Sequence, residues 1–327
     1  MMEKFPYEKA KQEEVPCGFC GSRDLEVLAE TGQDGLPLRT VICRVCGLVF
    51  INPRMTREWY ARYYQEEYRT NTIGNIQKKP PDFDKLFVSM TKHGEELAEF
   101  IQPYLKVAGL VAEVGSSLGG ILAGIKNKLN REVVGIEPSQ PEVDYANRQG
   151  VKSICSLIET LEEKFSQPPK FGAVICSQSL NHFLEPKLFF VWAHKHLLAG
   201  GLLVLEVMNF RHQLKKAGRF RNAVKIDHVQ MFTPEVLKNF VEAAGFDILY
   251  FDVDETKSQQ QLNAINRVLP KVHITCVARK TSRPPFENFA VVPNYQRVRR
   301  TLNKLKIYLY YLFAVRLPRL DKKSRSE

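Results

Sequence analysis

The chain has 327 residues, enough for one large α/β domain with a small additional module. Its 44% hydrophobic and 25% charged residues are ordinary for a globular protein, so a sizeable core is possible. The charged N-terminus lacks the apolar segment of a secretory signal. The longest apolar run near the C-terminus has nine residues, whereas a membrane span needs about 20, so neither feature is expected.

The net charge of +11 lies almost wholly in the C-terminal segment. Residues 278–327 contain 13 Lys or Arg and 3 Asp or Glu, a net charge of +10, and the remaining residues carry +1. An enzyme that acts on nucleic acid more often has a basic face on its folded domain. Nucleic acid is therefore not the expected partner, although the total charge does not exclude such a face.

The distribution of residue types divides the chain into three parts. Residues 1–75 are rich in cysteine and tyrosine, and residues 84–280 alternate between helix-like and strand-like patterns. Between them, two consecutive prolines in KKPPDF (78–83) forbid a helix and indicate a linker. Residues 281–327 form a basic tail.

Two C-x-x-C pairs mark the first part. Cys17 and Cys20 are separated by 22 residues from Cys43 and Cys46, and a glycine follows each pair. Two such turns bring four thiolates to one tetrahedral point, so the spacing predicts a structural zinc ribbon. Four thiolates leave no open position for catalysis. The alternative is a set of four unrelated buried cysteines.

An aromatic segment follows the ribbon. Its large aromatic residues fall mostly on adjacent helical faces: Trp59, Tyr60, Tyr63, Tyr64 and Tyr68. We expect this helix to pack against the main domain. The alternative is that one tyrosine, Tyr68, reaches the active site.

The middle part reads as successive strand–helix units. Strands are predicted at residues 110–115, 132–137, 171–177, 201–208, 247–255 and 272–280. Helices are predicted at residues 86–105, 119–129, 141–150, 188–198 and 233–246. The short segment between the last two strands is too irregular for a crossover helix, so a hairpin and an antiparallel last strand are predicted.

The first of these strands runs into a glycine-rich loop, GSSLGG (115–120), and then into a helix. Such a loop lets the backbone approach a ligand, and the helix N-terminus presents free N–H groups. The loop does not fit the G-x-G-x-x-G pattern of dinucleotide sites. The next strand ends in Glu137, 22 residues after Gly115, where a carboxylate can accept both ribose hydroxyls of an adenosine cofactor. The alternative for Glu137 is a merely solvated carboxylate.

In order and spacing, four segments resemble the class I S-adenosylmethionine-dependent methyltransferases over residues 97–280: VAEVGSSLGG, VVGIEPS, FGAVICSQSLNHF and LLAGGLLVLEV. The resemblance implies a doubly wound α/β fold with a seven-stranded, Rossmann-like sheet and an antiparallel last strand. It also implies S-adenosylmethionine as the cofactor, held by Glu113, Gly115, Ser117, Gly119, Glu137 and Ser177. Ser117 replaces the family's middle glycine, so a negative φ is expected there. Ser156 and Glu159 are the local options for the adenine amine.

The stretch CGLVFINPR (46–54) after the ribbon resembles a narrower group, many of them sugar C-methyltransferases or enzymes of glycan and natural-product clusters. DHVQMFTPEVL (227–237) resembles that group's segment whose histidine is thought to act as a base. The resemblance therefore implies His228 as general base, with Asp227 orienting the site. His182, just past the fourth strand, is a further candidate, because open α/β sheets place their sites there. The alternative for His228 is a purely structural role. The alternative for His182 is that it is a loop residue that lies near the cofactor.

A basic insertion follows the fifth strand and could meet a phosphate, such as that of a nucleotide sugar or a lipid-linked glycan precursor. Its cations are Arg211, Lys215, Lys216, Arg219, Arg221 and Lys225. The alternative is a solvated loop. The expected acceptor is a small molecule.

The tail contains one apolar helical stripe surrounded by basic residues. The stripe consists of Tyr295, Val298, Leu302, Leu305, Leu309 and Leu312. Such a helix could lie on an anionic membrane, on the body of the protein or on a second subunit. The expected location is the cytoplasm, with peripheral contact at the inner membrane face as one alternative.

Two other functions are alternatives to methyl transfer to a small molecule. One is an RNA or DNA methyltransferase that uses the ribbon as a reader, and the other is a scaffold that has lost its cofactor. SQSLNH after the fourth strand lacks the N/D-P-P-F/Y run of exocyclic-amine methylation, which opposes the first. The presence of Glu113 and Glu137 opposes the second.

Overall fold

The computed structural model describes residues 6–66, 82–164, 169–252 and 272–312. Its main sheet has seven strands in the order β12-β13-β10-β9-β6-β7-β8. These are β6 Leu110–Val114, β7 Val133–Glu137, β8 Ser153–Cys155, β9 Phe171–Ser177, β10 Leu197–Met208, β12 Phe246–Asp252 and β13 His273–Lys280. β13 runs antiparallel to both of its neighbours, while β6 to β10 pair in parallel. The predicted sheet and its antiparallel last strand are confirmed.

The central strands carry nearly unbroken apolar sequence because helices cover both faces of the sheet. β7 and β9 are buried along their whole length. The helices of this layered arrangement are α2 Phe83–Ile101, α3 Gly120–Leu129, α4 Gln140–Arg148, α5 Pro186–His196, α6 Phe210–Ala217, α7 Phe220–Ala223 and α8 Pro234–Ala243. Thr233 takes the predicted cap position of α8, but its hydroxyl makes no capping bond. The predicted hairpin between β12 and β13 lies outside the described residues, as does most of the predicted linker at 78–83.

A second sheet of four strands carries the cysteine ribbon, in the order β11-β4-β3-β2. Its members are β2 Leu25–Ala29, β3 Thr40–Cys43, β4 Val49–Ile51 and β11 Gln230–Met231. β11 comes from the middle part of the chain and pairs antiparallel with β4. Next to this pair, the Ile51 N–H donates to the Val229 carbonyl at 3.0 Å. The ribbon sheet is therefore completed by the segment that follows His228.

Further contacts join the ribbon to the body. β1 Gln12–Glu13 pairs with β5 Arg54–Met55, and α1 Arg57–Glu66 follows. Arg54, the last residue of CGLVFINPR, is buried and donates to the Leu184 carbonyl and to Glu185. The Phe19 ring packs on Phe240 of α8 with centroids 4.2 Å apart. Because ribbon and body share one hydrophobic core, the ribbon is not held by metal ligation alone.

The described part of the tail packs on the body. α9 Tyr295–Thr301 and α10 Lys304–Tyr310 form it. Val298 and Leu302 of the apolar stripe are buried, and Arg299 donates to Glu26 of the ribbon at 2.8 Å. This part of the stripe packs on protein, whereas Leu309 is exposed, so contact of the tail with a membrane stays a prediction. The basic residues beyond 312 lie outside the described residues. Among the helices of the described ranges, none is long and apolar enough to cross a membrane.

Candidate active site

A cleft of about 610 Å³ opens at the carboxyl ends of β6, β7, β8 and β9, with α1 on its far side. Gly115, Glu137, Ser156, Glu159, Ser179, His182 and Tyr64 are among the residues that line it. Parallel strands direct their loops to this edge of the sheet, which is where open α/β folds bind ligands. The sequence-predicted cofactor loop and one predicted catalytic histidine therefore meet at one cleft.

The glycine loop fits a close-bound ligand. Gly115 has φ +78°, and a Cβ built on it would lie 2.2 Å from Ser179 Oγ. Any side chain would meet this serine, whose hydroxyl donates to the Gly115 carbonyl at 3.1 Å. Gly119 has φ +79° and caps the N-terminus of α3. The positions of both glycines are those that a cofactor-cradling loop requires.

Ser117 departs from expectation. Its φ is +51°, in the left-handed region, whereas the sequence prediction was a negative φ. The loop therefore keeps the backbone conformation for which the family uses glycine. In that conformation the Ser117 N–H donates to Glu137 Oε2 at 2.9 Å, and this bond ties the loop to the end of β7.

This conformation gives a direct test of the loop. Ser117→Gly is expected to preserve S-adenosylhomocysteine affinity within about twofold, because glycine adopts positive φ without steric cost. Ser117→Val is expected to weaken affinity about tenfold, because left-handed backbone costs a side-chain-bearing residue roughly 1–2 kcal/mol and a β-branched one more. Calorimetric titration checks both variants. Equal affinity of the Val and Gly variants would show that the loop does not hold this conformation.

Glu137 lies on the cleft wall with its position fixed by backbone donors. Besides the bond from Ser117, its Oε1 accepts the Ser139 N–H at 3.1 Å. The side chain is 5% exposed, so it is not the solvated carboxylate of the alternative interpretation. A buried carboxylate held by two N–H groups at the end of the second strand suits the ribose hydroxyls of an adenosine cofactor.

Of the two options for the adenine amine, Glu159 fits better. Its Oε1 is buried without a hydrogen-bond partner among the described residues, and burial raises the pKa of its carboxyl. The Ser156 hydroxyl instead donates to the Leu157 carbonyl at 2.8 Å. An orphaned acceptor on a cleft wall is the feature that an exocyclic amine of a ligand would satisfy.

Four of the six predicted cofactor contacts, Glu113, Ser117, Gly119 and Ser177, do not line the cleft. Ser177 is buried and donates to Glu206 Oε2 at 2.6 Å, and His93 Nε2 donates to the same oxygen at 2.8 Å. Ser179, two residues further on, lines the cleft. The sequence gives no signal that separates two serines so close together at a strand end. Glu113 is buried as well, and burial together with the charges of Glu206 and Glu137 raises its pKa.

The three predicted catalytic residues meet beside the cleft. His182, Asp227 and His228 each place a nitrogen or oxygen within 4.8 Å of the other two. The two imidazole rings are nearly perpendicular with centroids 5.0 Å apart, and His182 Nδ1 lies 3.9 Å from Asp227 Oδ2. Two imidazoles and a carboxylate suit proton transfer, and the same donor set suits a divalent cation.

A tyrosine from the N-terminal part completes this cluster. The Tyr64 hydroxyl lies 3.2 Å from His182 Nδ1, and Tyr60 on the same helix donates to the Ile226 carbonyl at 3.2 Å. The predicted residue, Tyr68, lies outside the described residues. The prediction that α1 packs on the main domain is right. Tyr60 and Tyr64 of α1 both line the cleft, and Tyr64 is the one that contacts His182.

Burial sets the charge state of the cluster. It lowers the pKa of His228 to about 3, against an opposing effect of Asp227. Burial also disfavours the charged form of Asp227, but its electrostatic interactions with His228, His182 and Lys225 lower its pKa overall. At neutral pH His228 is therefore neutral and Asp227 is ionised. A neutral imidazole beside a carboxylate can accept a proton and have the resulting charge stabilised.

The four cysteines converge as predicted. Cys17 Sγ lies 3.4 Å from Cys46 Sγ, Cys20 Sγ lies 3.4 Å from Cys43 Sγ, and all four sulfurs are within 4.8 Å of one another. A tetrahedral zinc with bonds of about 2.3 Å would hold its sulfurs roughly 3.8 Å apart. The donor set and the spacing therefore fit a structural zinc, and the alternative of unrelated cysteines is excluded.

Comparison with known proteins agrees with this arrangement. Residues 90–250 match the family model described as a methyltransferase domain. No curated protein matches the chain.

Similar solved structures include the plantazolicin methyltransferase BamL with S-adenosylhomocysteine, at 14% identity, a TM-score of 0.49, and coverage of 68% of this chain and 94% of that one. A methyltransferase from Clostridium acetobutylicum has 13% identity, a TM-score of 0.45 and coverage of 69% and 99%. The methyltransferase CcbJ from Streptomyces caelestis has 17% identity, a TM-score of 0.44 and coverage of 58% and 90%.

Residues 90–250, which contain the glycine loop and most of the seven-stranded sheet, are thus similar to the methyltransferase-domain family, and they follow an N-terminal four-cysteine ribbon.

Proposed function

We propose that the protein transfers a methyl group from S-adenosylmethionine to a small-molecule acceptor bound beside His182, Asp227 and His228. The observation that carries this proposal is the contact of two sites. His182 lines the cleft of the glycine loop and Glu137, and its ring also packs against His228. An acceptor at this junction would be held against a methyl donor on one side and a buried base on the other, which is the geometry that methyl transfer needs.

The cofactor would be held by the loop at Gly115, by Glu137 at its ribose and by Glu159 at its adenine amine. Bound S-adenosylmethionine supplies an electrophilic methyl group on a positive sulfonium. Around it, the chain positions the two reactants and excludes water, since Tyr60 and Tyr64 close the cleft from the N-terminal side. Positioning of this kind contributes most of the rate in an in-line displacement.

His228 would remove the proton of the acceptor. Its neutral imidazole is buried 5.0 Å from the His182 ring, and the ionised Asp227 would stabilise the imidazolium formed. Tyr64, by its hydrogen bond to His182, would hold the ring that lines the cleft next to the base. General-base assistance of this kind contributes about 10²- to 10⁴-fold in rate.

A sugar or a glycan precursor is the acceptor class that we propose. The support is the resemblance of CGLVFINPR and of the segment at His228 to the sugar C-methyltransferase group. The structure gives these two motifs a physical connection, because Arg54 anchors the first one beside His182 and β11 attaches the second one to the ribbon.

The ribbon would hold a structural zinc through Cys17, Cys20, Cys43 and Cys46. Thiolates kept for metal binding suit a reducing compartment, so we place the protein in the cytoplasm. A ribbon whose strands reach the active-site segment has a structural role there, which favours this function over that of a separate nucleic-acid reader.

Calorimetric titration with S-adenosylmethionine and S-adenosylhomocysteine tests the proposal. Wild type is expected to bind in the micromolar range. Glu137→Ala is expected to weaken binding by about 10²- to 10⁴-fold, because it removes two hydrogen bonds to a charged acceptor, each contributing roughly 1.5–3 kcal/mol. Glu132→Ala is the matched control, since Glu132 is exposed at the other end of β7 and should leave affinity unchanged.

The outcomes separate the rival functions. Absence of binding by the folded, zinc-loaded wild type would refute the methyltransferase proposal and favour a scaffold. Cofactor binding together with tight, salt-dependent binding of RNA or DNA would favour a nucleic-acid acceptor. If the protein binds the cofactor but not nucleic acid, the next experiment is a screen of sugar acceptors, with methylated product detected by mass spectrometry.

A further inference from the structure

A second cavity, of about 780 Å³, lies where three distant parts of the chain meet. Ala29 and Thr31 at the end of β2 form one wall, and residues 218–221, between α6 and α7, form another. Lys304, Ile307 and Tyr308 of α10 complete the lining. The basic tail, whose role the methyl-transfer site does not explain, is thus one wall of this cavity.

The lining is strongly basic. It includes Arg219, Arg221 and Lys304 and contains no carboxylate. In the described part of the chain, none of these three side chains has an acidic group within ion-pair distance. Other cations of the same segments are neutralised: Arg211 and Arg297 pair with Glu235, and Arg299 pairs with Glu26. Arg219, Arg221 and Lys304 share one cavity wall without such a counter-charge among the described residues.

The cavity also has an apolar side. Phe220 and Ile307 are buried in its lining, and the Arg219 guanidinium lies over the Tyr308 ring at 5.4 Å from the centroid. This cation–π contact keeps the Arg219 side chain near the apolar side of the cavity. Gly218, the residue before Arg219, lies against the ring of Tyr311. Its φ is +73°, and a Cβ there would lie 2.5 Å from that ring, so the position requires glycine.

We propose that this cavity binds the phosphate or diphosphate group of an organic ester. Guanidinium groups suit phosphate because their planar N–H pairs form two parallel bonds to its oxygens, and a lysine adds a point charge. The organic part of the ester would pack on Tyr308 and Phe220. A simple anion site would not need this apolar side, so the combination indicates an ester rather than a free inorganic ion.

The cavity is linked to the methyl-transfer site by one side chain. Gln213 of α6 donates to the Ala223 carbonyl at 2.6 Å, just after the arginine-bearing turn. The same amide nitrogen lies 3.5 Å from His228 Nδ1. Gln213 thus connects the segment beside the cavity to His228, and binding of phosphate at the cavity does not rest on the proposed function.

The test is calorimetric titration of the full-length, zinc-loaded protein with inorganic pyrophosphate and with uridine diphosphate, and co-sedimentation with phosphatidylcholine vesicles containing phosphatidic acid. Removing two charges from the cavity, in the double variant Arg219→Gln/Arg221→Gln, is expected to weaken pyrophosphate binding at least tenfold. The matched control removes two exposed charges of α9 and α10 that do not line the cavity, in Arg300→Gln/Lys306→Gln. It should change the affinity less than twofold.

The probes distinguish the source of the phosphate. Uridine diphosphate binding more tightly than pyrophosphate, with the difference lost in Tyr308→Ala, would identify a soluble ester. Vesicle binding that the Arg219→Gln/Arg221→Gln variant loses and the control keeps would identify a lipid phosphate. Absence of pyrophosphate binding by wild type, or an equal loss in both double variants, would overturn the proposal.

The two proposals can fail separately. Glu137→Ala should leave pyrophosphate affinity unchanged, since Glu137 lies at the cofactor cleft and not at this cavity. A protein that binds pyrophosphate in the predicted manner but not S-adenosylmethionine would retain the phosphate site and lose the methyl-transfer proposal. A protein that binds S-adenosylmethionine but not pyrophosphate would refute only the phosphate-site proposal.

Discussion

Cys46→Ser should release the metal, lower the melting temperature by roughly 10 °C or more and abolish methyl transfer. A structural zinc contributes about 10–16 kcal/mol to the folding of isolated fingers. Here the ribbon shares a hydrophobic core with the body, so part of its structure will persist and a loss of roughly 5 kcal/mol is expected. For a protein of this size, such a loss corresponds to the stated shift in melting temperature.

Activity should be lost because a zinc at the ribbon would support the short strand that follows the proposed base, His228. Cys43 ends β3 and Cys46 precedes β4, and β4 pairs with β11 two residues after His228. When the two knuckles separate, β4 loses its anchor and β11 loses its partner. The His228 segment then has no fixed position relative to His182.

Hydrogen–deuterium exchange locates this effect independently of activity. Residues 229–231 should exchange at least tenfold faster in Cys46→Ser than in wild type, while residues of β7 should change little. Cys155→Ser is the matched control, because this half-buried thiol lies outside the ribbon. It should keep one equivalent of zinc and wild-type exchange. Unchanged protection of 229–231 in metal-free protein would show that the ribbon does not position the base.

The strands that could be predicted from sequence are those whose own apolar pattern is long enough to indicate a buried strand. Residues of β7 and β9 form uninterrupted apolar runs, and the predicted bounds agree with the observed ones to within a residue. β8 has only three residues, Ser153–Cys155, and no periodicity of its own. Its existence followed only from the resemblance to seven-stranded methyltransferases.

The pairing of β11 with β4 could not be predicted. Two residues, Gln230 and Met231, join a sheet formed about 180 positions earlier in the chain, and a two-residue strand has no local signature. Ser117 and the tail illustrate a different limit. A serine gives no information on the sign of its own φ, and an apolar stripe such as that of Val298 and Leu302 is equally suited to lipid and to protein until its partner is known.

The aromatic helix shows how a correct pattern can still leave the functional residue open. Tyr60, Tyr64 and Tyr68 recur every four residues and so share one helical face, which the sequence predicts to be buried. Which of the three meets the active site depends on where α1 lies against the body. Arg54 and β5 set that position, and they bring Tyr64 to His182.

His228→Gln is expected to lower kcat by about 10²- to 10⁴-fold with little change in KM, because glutamine keeps the size of the side chain but cannot accept the proton. His194→Gln is the matched control, since His194 lies at the end of α5 and hydrogen-bonds the Thr281 carbonyl. It should retain wild-type turnover. S-adenosylhomocysteine affinity should be unchanged in both variants, which separates loss of the base from loss of the cofactor site.

The pH dependence distinguishes a base from a structural histidine. Because burial lowers the pKa of His228 to about 3, the imidazole stays neutral as pH falls through 6.5, and activity should persist well below that value. Over the same range His228 takes up a proton in the unfolded chain but not in the native protein, so the free energy of unfolding should decrease as pH decreases. The slope is about 1.4 kcal/mol per pH unit for one group.

His228→Gln should flatten that slope as well as remove turnover, and the two measurements together assign the residue. A variant with a flattened stability profile but normal kcat would mean that His228 is only a buried structural residue. Turnover that depends on added divalent ions in wild type, and loses that dependence in both His182→Gln and His228→Gln, would mean that the cluster binds a cation instead. Since a neutral imidazole beside an ionised carboxylate needs no metal to accept a proton, we expect chelator-treated protein with its ribbon zinc intact to keep its activity.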